Sequence, residues 1–330
     1  MAPAGRIVLL VTSPRLPAGL LTAEAWDLLR AHPVYTAAES DQVDALRSCG
    51  VAVTVLEPDP ESLVAALVAH GTVIWLAGAG GDEDFARRLG MRLAREPALA
   101  ELELCYGSWD PPGARLLDAV AVMDRLVSPG GDPWKQQQTH ESLAPYLLEE
   151  SYEAYDAIVA ADLAALREEL GDVLLQVVLH ARLAENLPED ERWNVDDVAG
   201  GLVEKMIRRN PHVFAGEQVG GVEEITDNWE RIKKAEKSRD SILDGIAGSQ
   251  PALSLAAKIL QRAERAGVAV PLPSGSGLGV TLLRLVADAR SQGLDPEAAL
   301  RQATLALAAE IREAEPGAAV RRRENVAPDE

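Results

Sequence analysis

The 330-residue chain is poor in aromatic side chains, which make up 4% of it and include two phenylalanines. Its cores must therefore be filled by Leu, Val and Ala, a composition that favours helix. Cysteine is nearly absent. Cys49 and Cys105 are too few for a disulfide framework, which excludes the small disulfide-stapled class and fits a reducing compartment. Positive charge is in deficit, with 32 Lys+Arg against 52 Asp+Glu and a net charge of −20. Such a surface repels polyanions, which argues against nucleic acid polymers and anionic membranes as partners. No run approaches the about 18 apolar residues that a membrane-spanning helix needs. The opening MAPAGRIVLLVTSPR lacks a basic n-region and a long apolar stretch, so no signal peptide is expected. The expectation is a cytoplasmic protein.

Length suggests two or three domains, and the 47% hydrophobic content is ordinary for a globular chain. Residues 1–110 alternate short β-rich runs (Ile7 to Thr12, Val51 to Leu56, Val73 to Leu76, Leu102 to Cys105) with helical stretches (Ala23 to Ala31, Gln42 to Cys49, Pro60 to His70, Asp84 to Arg95). That alternation predicts a parallel α/β layer. The run LAGAGGDEDF, Leu76 to Phe85, has no Gly-Lys-Ser/Thr and places three acids where a helix N-terminus would meet an anion. It reads as a βα turn whose acids cap the following helix. Tyr106 to Gly113 is a Pro/Gly linker, Gly113 to Val127 a helix, and Ser128 to Pro133 a break.

The stretch from Pro133 to Asp172 carries the chemistry. Two helices follow one another in it, the first with Glu149, Glu150 and Glu153, the second with Glu169 and Asp172 and with Glu168 beside them. Residues three or four apart share a helix face, so each set is a crowd of like charges, costing about 0.2–0.5 kcal/mol per exposed pair. Leu147, Leu148, Tyr152, Tyr155 and Val159 flank the first set, and Leu166, Leu170, Val173, Leu174, Val177 and Val178 the second. That apolar wall predicts a buried face. No Lys stands four residues after any of these acids. A divalent cation would neutralise them, and hard oxygen ligands suit Mg²⁺ or Mn²⁺. A solvated acidic face is the plain competitor in so acidic a chain, and two such sets on consecutive apolar helices argue against it. A di-iron bundle requires Glu-x-x-His, and none of His32, His70, His140, His180 or His212 has a Glu three residues before it.

Candidate substrate contacts lie on either side. Trp134 is placed to stack on a nucleobase, or else to staple the helix start. Lys135 is placed to meet a phosphate, or else to stay solvated. His140 reads as a local cap, and Arg167 as facing away or pairing with Glu168. Lys205, Arg208 and Arg209 form the densest basic cluster, suited to triphosphate oxygens or, more plainly, to a helix C-terminus before Asn210-Pro211. Trp229, Lys233 and Lys237 form a second basic stripe, interleaved with Asp227, Glu230 and Glu236.

Glu-Glu-x-x-Glu followed by Glu-x-x-Asp, preceded by PWKQQQTHESLAPYLLEE and followed by RRNPHVF (Arg208 to Phe214) and NWERIKKAEK (Asn228 to Lys237), resembles the MazG family of nucleoside triphosphate pyrophosphohydrolases over about Gly130 to Gly245. The resemblance implies an all-α helical bundle that hydrolyses nucleoside triphosphates to the monophosphate and pyrophosphate with Mg²⁺. It implies that Glu150, Glu153, Glu169 and Asp172 bind the metal, and that Glu149 either holds an outer-sphere water or acts as general base. The role it suggests is removal of excess or aberrant nucleotides. Hydrolysis of another pyrophosphate linkage (a nucleotide sugar or an alarmone) and a non-catalytic partner-binding role are the alternatives. VLLVTSPRLPAGLLTAEAWDLLR resembles a tetrapyrrole methylase domain, but Ser13 to Pro17 stand where that family has a Gly-rich turn. The expectation there is a remnant with a structural or regulatory role.

Shifted by 108 positions, LGDVLLQVVLHAR (Leu170 to Arg182) lies over LGVTLLRLVADAR (Leu278 to Arg290), identical at seven of thirteen positions. PALSLAAKILQRAERAGV (Pro251 to Val268) resembles the opening helix of a second MazG unit. That unit has Gly277 in place of Glu169 and Val280 in place of Asp172, and no Glu-Glu-x-x-Glu helix between Val268 and Leu278. The expected architecture is therefore α+β and multidomain. It comprises a methylase-like α/β layer (1–110), a linker and helix (111–133), a catalytic all-α domain (134–248), a degenerate second helical unit (249–314) and a disordered tail (315–330). Leu174, Val177, Val178 and Ala181 carry apolar surface beyond what one helix pair buries, which predicts a homodimer.

Overall fold

A computed structural model describes residues 5–216, 220–236 and 241–315; the side chains of residues 223, 227, 230 and 233–236 lie outside the described set. The tail from Pro316 lies outside it too. The chain divides into two compact units, residues 1–202 and 203–330, with the division inside a helix.

The first unit opens with alternating strands and helices: β1 (Arg6–Val11), α1 (Ala23–Ala31), β2 (Val34–Thr36), α2 (Asp41–Ser48), β3 (Val53–Val55), α3 (Pro60–His70), β4 (Thr72–Leu76), α4 (Glu83–Arg95) and β5 (Glu101–Tyr106). The five strands form one sheet in the order β3-β2-β4-β1-β5, and every pairing is parallel. β1 and β4 are continuous apolar runs because helices cover both faces. Val8, Leu10, Ile74 and Leu76 pack with Leu29, Val43 and Leu46 on one side. Ile7, Leu9, Val73 and Trp75 pack with Leu63, Leu67, Phe85 and Leu89 on the other. Helix starts follow the capping rule. Thr22 accepts from the Ala25 amide and Ser40 from the Val43 amide; Asp59 accepts from the Ser62 amide at 3.1 Å, with Pro60 in the first turn.

Two details differ from the sequence expectation. β2 has three residues directly behind Pro33, too short to show a period, and it is held as a strand because β3 and β4 pair with it on both sides. Asp82 does not cap α4. Its backbone is left-handed at φ 48°, and its carboxylate turns back to accept from the Trp75 indole at 2.9 Å and the Gly78 amide at 3.1 Å.

After the sheet come α5 (Arg115–Val127), a short 3₁₀ turn (Lys135–Gln137), α6 (His140–Ala160) and α7 (Leu163–Ala184). α5 is tied to the sheet at its first turn, where the mostly buried Arg15 guanidinium donates to Asp118 at 2.7 and 2.8 Å and also pairs with Asp110. At its other end Met123 and Val127 pack on Leu143 of α6 and on Val178 and Leu179 of α7. The Arg182 guanidinium of α7 donates to Asp124 of α5 at 2.7 Å. α6 begins in a capping box between Thr139 and Ser142. It ends at Ala161 (φ 55°), after which Asp162 caps α7 through the Ala164 and Ala165 amides at 3.0 Å. A two-residue connection folds the helices back as an antiparallel hairpin. Leu179 is 1% exposed where the three helices meet. Leu179→Ala is expected to cost about 2–5 kcal/mol, measurable by urea denaturation; a smaller loss would show that the junction collapses around the cavity.

The remaining helices are α8 (Val195–Arg209), which the division crosses, α9 (Pro211–Phe214), α10 (Val222–Glu236), α11 (Ala252–Arg265), α12 (Leu278–Ser291) and α13 (Pro296–Ala314). Within the second unit Arg290 of α12 donates to Glu264 of α11 at 2.9 Å. The molecule thus joins a parallel α/β layer to a largely helical C-terminal region. No helix among the described residues is long and apolar enough to cross a membrane.

Candidate active site

The α6–α7 hairpin brings the two acidic sets together. Glu150, Glu169 and Asp172, all half-buried, each offer a carboxylate oxygen, and these oxygens lie within 4.8 Å of one another. Glu153, four residues from Glu149, is exposed and stands outside the trio, but lies close enough to Glu169 across the seam for its charge to raise the Glu169 carboxyl. The spacing explains this: in an antiparallel hairpin turning at Ala161-Asp162, position 150 falls opposite 172 and position 153 opposite 169. Burial pushes the Glu150 carboxyl above its ordinary range, and Asp172, Glu153, Glu149 and Glu169 push it further. Burial also raises Glu169, with Glu153, Glu168 and Asp172 adding to the effect. Carboxylates raised by one another mark a site whose negative charge is uncompensated within the protein. The donor set is oxygen alone, the chemistry of a hard divalent cation. The residues present fit such an ion.

Glu149 is exposed and stands outside the trio. The wall around the first set is where the sequence placed it but is not covered: Leu148, Tyr152, Tyr155 and Val159 are exposed, between 40% and 57%. Around the second set Leu170 is exposed, whereas Leu166, Val173 and Leu174 are half-buried and Val178 and Ala181 are buried, so part of the α7 surface expected to meet a second chain is packed within this one. Helical spacing alone does not distinguish an apolar face packed within one chain from one presented outward.

Trp134 is 48% exposed and sits edge-on to Tyr146, with ring centroids 5.9 Å apart. The Lys135 ammonium bonds Asp132 at 3.0 Å and lies 5.6 Å from the Trp134 ring, so both residues are fixed immediately before α6. Gln138 secures the same turn, donating to the Trp134 carbonyl at 2.9 Å and accepting from the Ser142 hydroxyl at 2.7 Å. In the second unit Arg209 is 8% exposed, and its guanidinium lies 5.0 Å from the Trp229 ring centroid, so two candidate contacts engage each other. Lys205 is half-buried and Arg208 exposed; the side chain of Lys233 lies outside the described residues, as does Lys237.

His140 has a partner that local reading missed. Its Nδ1 lies 2.7 Å from Nδ1 of His180, forty residues away. The signal was present in the sequence: Asp172, Gln176 and His180 recur at steps of four along α7.

The model of the MazG nucleotide pyrophosphohydrolase domain matches residues 138–214, which contain the whole acidic hairpin. A Thermotoga maritima protein named nucleoside triphosphate pyrophosphohydrolase/pyrophosphatase MazG is 38% identical over 211 residues, covering 57% of this chain and 80% of that protein. The chain belongs to the MazG family. An uncharacterised 26.1 kDa protein of Streptomyces cacaoi is 47% identical over 238 residues, 72% of this chain and 96% of that protein. A Mycolicibacterium smegmatis nucleoside triphosphate pyrophosphohydrolase is 44% identical over 222 residues, 66% of this chain and 65% of that protein.

Proposed function

We propose that this MazG-family chain hydrolyses nucleoside triphosphates, ribo- or deoxyribo-, to the monophosphate and pyrophosphate, and so clears excess or aberrant nucleotides. The observation that carries the reading is the oxygen-only trio Glu150, Glu169 and Asp172 on facing helices, with the Glu153 charge beside Glu169. These four residues would hold Mg²⁺, or Mn²⁺ in its place, and the ion when bound would supply charge neutralisation and polarisation at the phosphates. Water adds to the α-phosphorus, the bond to the bridging oxygen breaks, and pyrophosphate leaves. Glu149, exposed at the edge of the cluster, takes the water's proton or holds a second water. The exposed Trp134 ring offers a face to any base, since stacking tolerates all of them. Lys135 supplies positive charge toward phosphate oxygens, and Lys205, Arg208, Arg209, Trp229 and Lys233 are candidate substrate contacts by residue type.

The test is a nucleotide panel with Mg²⁺, its phosphate products resolved by chromatography. Monophosphate and pyrophosphate in equal amounts support the reading. Orthophosphate and diphosphate, turnover confined to nucleotide sugars or alarmones, or no turnover would overturn it.

The exposed apolar side chains of α6 and α7 support assembly as a homodimer in which hairpins of two chains complete a bundle. Sedimentation is expected to give a dimer at micromolar concentration, and Tyr152→Asp to shift it to monomer; a wild-type monomer would count against this. The N-terminal layer, in which Arg15, Asp110 and Asp118 join the ends of β1 and β5 to α5, is assigned a structural or regulatory role. The chain is assigned to the cytoplasm.

A further inference from the structure

We propose that His140 and His180 are positioning residues of the carboxylate site, fixing the register of α6 against α7 so that Glu150 and Glu153 meet Asp172 and Glu169. The inference rests on the metal-site reading of that cluster. Apolar packing between helices rich in Ala and Leu is non-directional and resists sliding only weakly. A hydrogen bond between facing side chains is directional. The His140 and His180 rings lie 6° from parallel with centroids 5.0 Å apart, and the Nδ1–Nδ1 contact of 2.7 Å requires one ring to donate and the other to accept. Trp193 stacks on His140 as well, at 6.1 Å and 14°. The pair joins the first residue of α6 to α7 eight residues beyond Asp172. Shifting one helix by a residue breaks it.

Stability does not explain these side chains. The His180 Nε2, and the Oε1 of Gln176 one turn before it, are buried with no hydrogen-bond partner among the described residues. Such atoms cost free energy that an apolar residue would not. Buried polar groups kept against that cost are best attested as register devices.

The internal repeat separates scaffold from site. α12 keeps the packing side of α7: Val286 is 1% exposed where Val178 is 4%, and Arg290 bonds Glu264 of α11 as Arg182 bonds Asp124 of α5. What changes is the polar stripe. Asp172, Gln176 and His180 become Val280, Arg284 and Asp288. The carboxylate helix is lost with it, and Arg284 donates at 3.1 Å to the carbonyl of Pro273 in the segment that replaces that helix. The stripe and the helix it faces are present together in one unit and lost together in the other.

The experiment measures Mn²⁺ binding to the full-length protein by the paramagnetic resonance of free Mn²⁺, alongside thermal melting. The variants are His140→Leu/His180→Leu, His180→Leu alone and His180→Gln. The two Leu variants are expected to melt at or above wild type and to bind Mn²⁺ about tenfold or more weakly, the usual scale for groups that orient ligands. His180→Gln, which keeps a donor for His140, is expected to remain near wild type. Binding within twofold of wild type in the Leu variants would overturn the inference. If the double variant does not fold, His180→Leu decides alone by the same criterion. Wild type that binds no Mn²⁺ would defeat the metal reading itself and this inference with it.

Discussion

Glu150→Gln, Glu153→Gln, Glu169→Gln and Asp172→Asn are each expected to lower pyrophosphate release by about 100-fold or more, the scale of losing one group that stabilises charge at the reacting centre. The metal-free variants are expected to melt no lower than wild type. These two effects have one cause. Burial and neighbouring carboxylates raise Glu150 and Glu169, so the fold disfavours the ionised form of these groups. An amide of the same shape removes a charge from that crowd. With Mg²⁺ the order reverses. A ligand at a hundred times its Kd stabilises the state that binds it by about 2.7 kcal/mol, and a variant that has lost a ligand loses most of that gain. Melting curves with and without Mg²⁺, beside product assays, check both halves. Full activity in two or more variants would remove the ligand assignment. An apo variant melting well below wild type would show that the acid is structural.

The features legible in the sequence are those with a local period. The helices of the α/β layer were readable from apolar spacing and caps such as Asp59-Pro60, and its central strands from short apolar runs, because both signals lie within a few residues. β2 was not, since three residues behind a proline have no period and become a strand only when β3 and β4 flank them. The acidic sets were readable because like charges on one helix face are conspicuous. Their meeting follows from the short Ala161-Asp162 turn. The His140–His180 contact spans forty residues and two helices, so only the hairpin register reveals it. The pairing of Arg209 with Trp229 was hidden likewise, because each looked like a separate substrate contact until the fold stacked them. The open wall around Leu148 and Tyr155 was misread as buried, for helical spacing records that a face is apolar and not what covers it.

All triphosphate turnover is expected to follow the first acidic hairpin, so a full-length Glu169→Gln/Asp172→Asn protein should fall to background, at least about 1,000-fold below wild type if the two losses compound. α12 offers no second site. Its Gly277 and Val280 stand where Glu169 and Asp172 stand, and neither side chain has an oxygen to give. Restoring them is expected to achieve nothing: Gly277→Glu/Val280→Asp should leave Mn²⁺ stoichiometry and turnover unchanged. A metal site of this kind needs a second helix bearing carboxylates, and the segment from Val268 to Gly277, where the counterpart of α6 would stand, contains no helix. What the second unit retains is the side of the repeat that packs, with Val286 buried and Arg290 held by Glu264. Cutting the chain before Pro251 is accordingly expected to lower stability while the remaining protein still cleaves triphosphates with Mg²⁺. Pyrophosphate release by the double variant, or by an isolated 251–330 fragment, would show that a second site exists and that the scaffold reading of α12 is wrong.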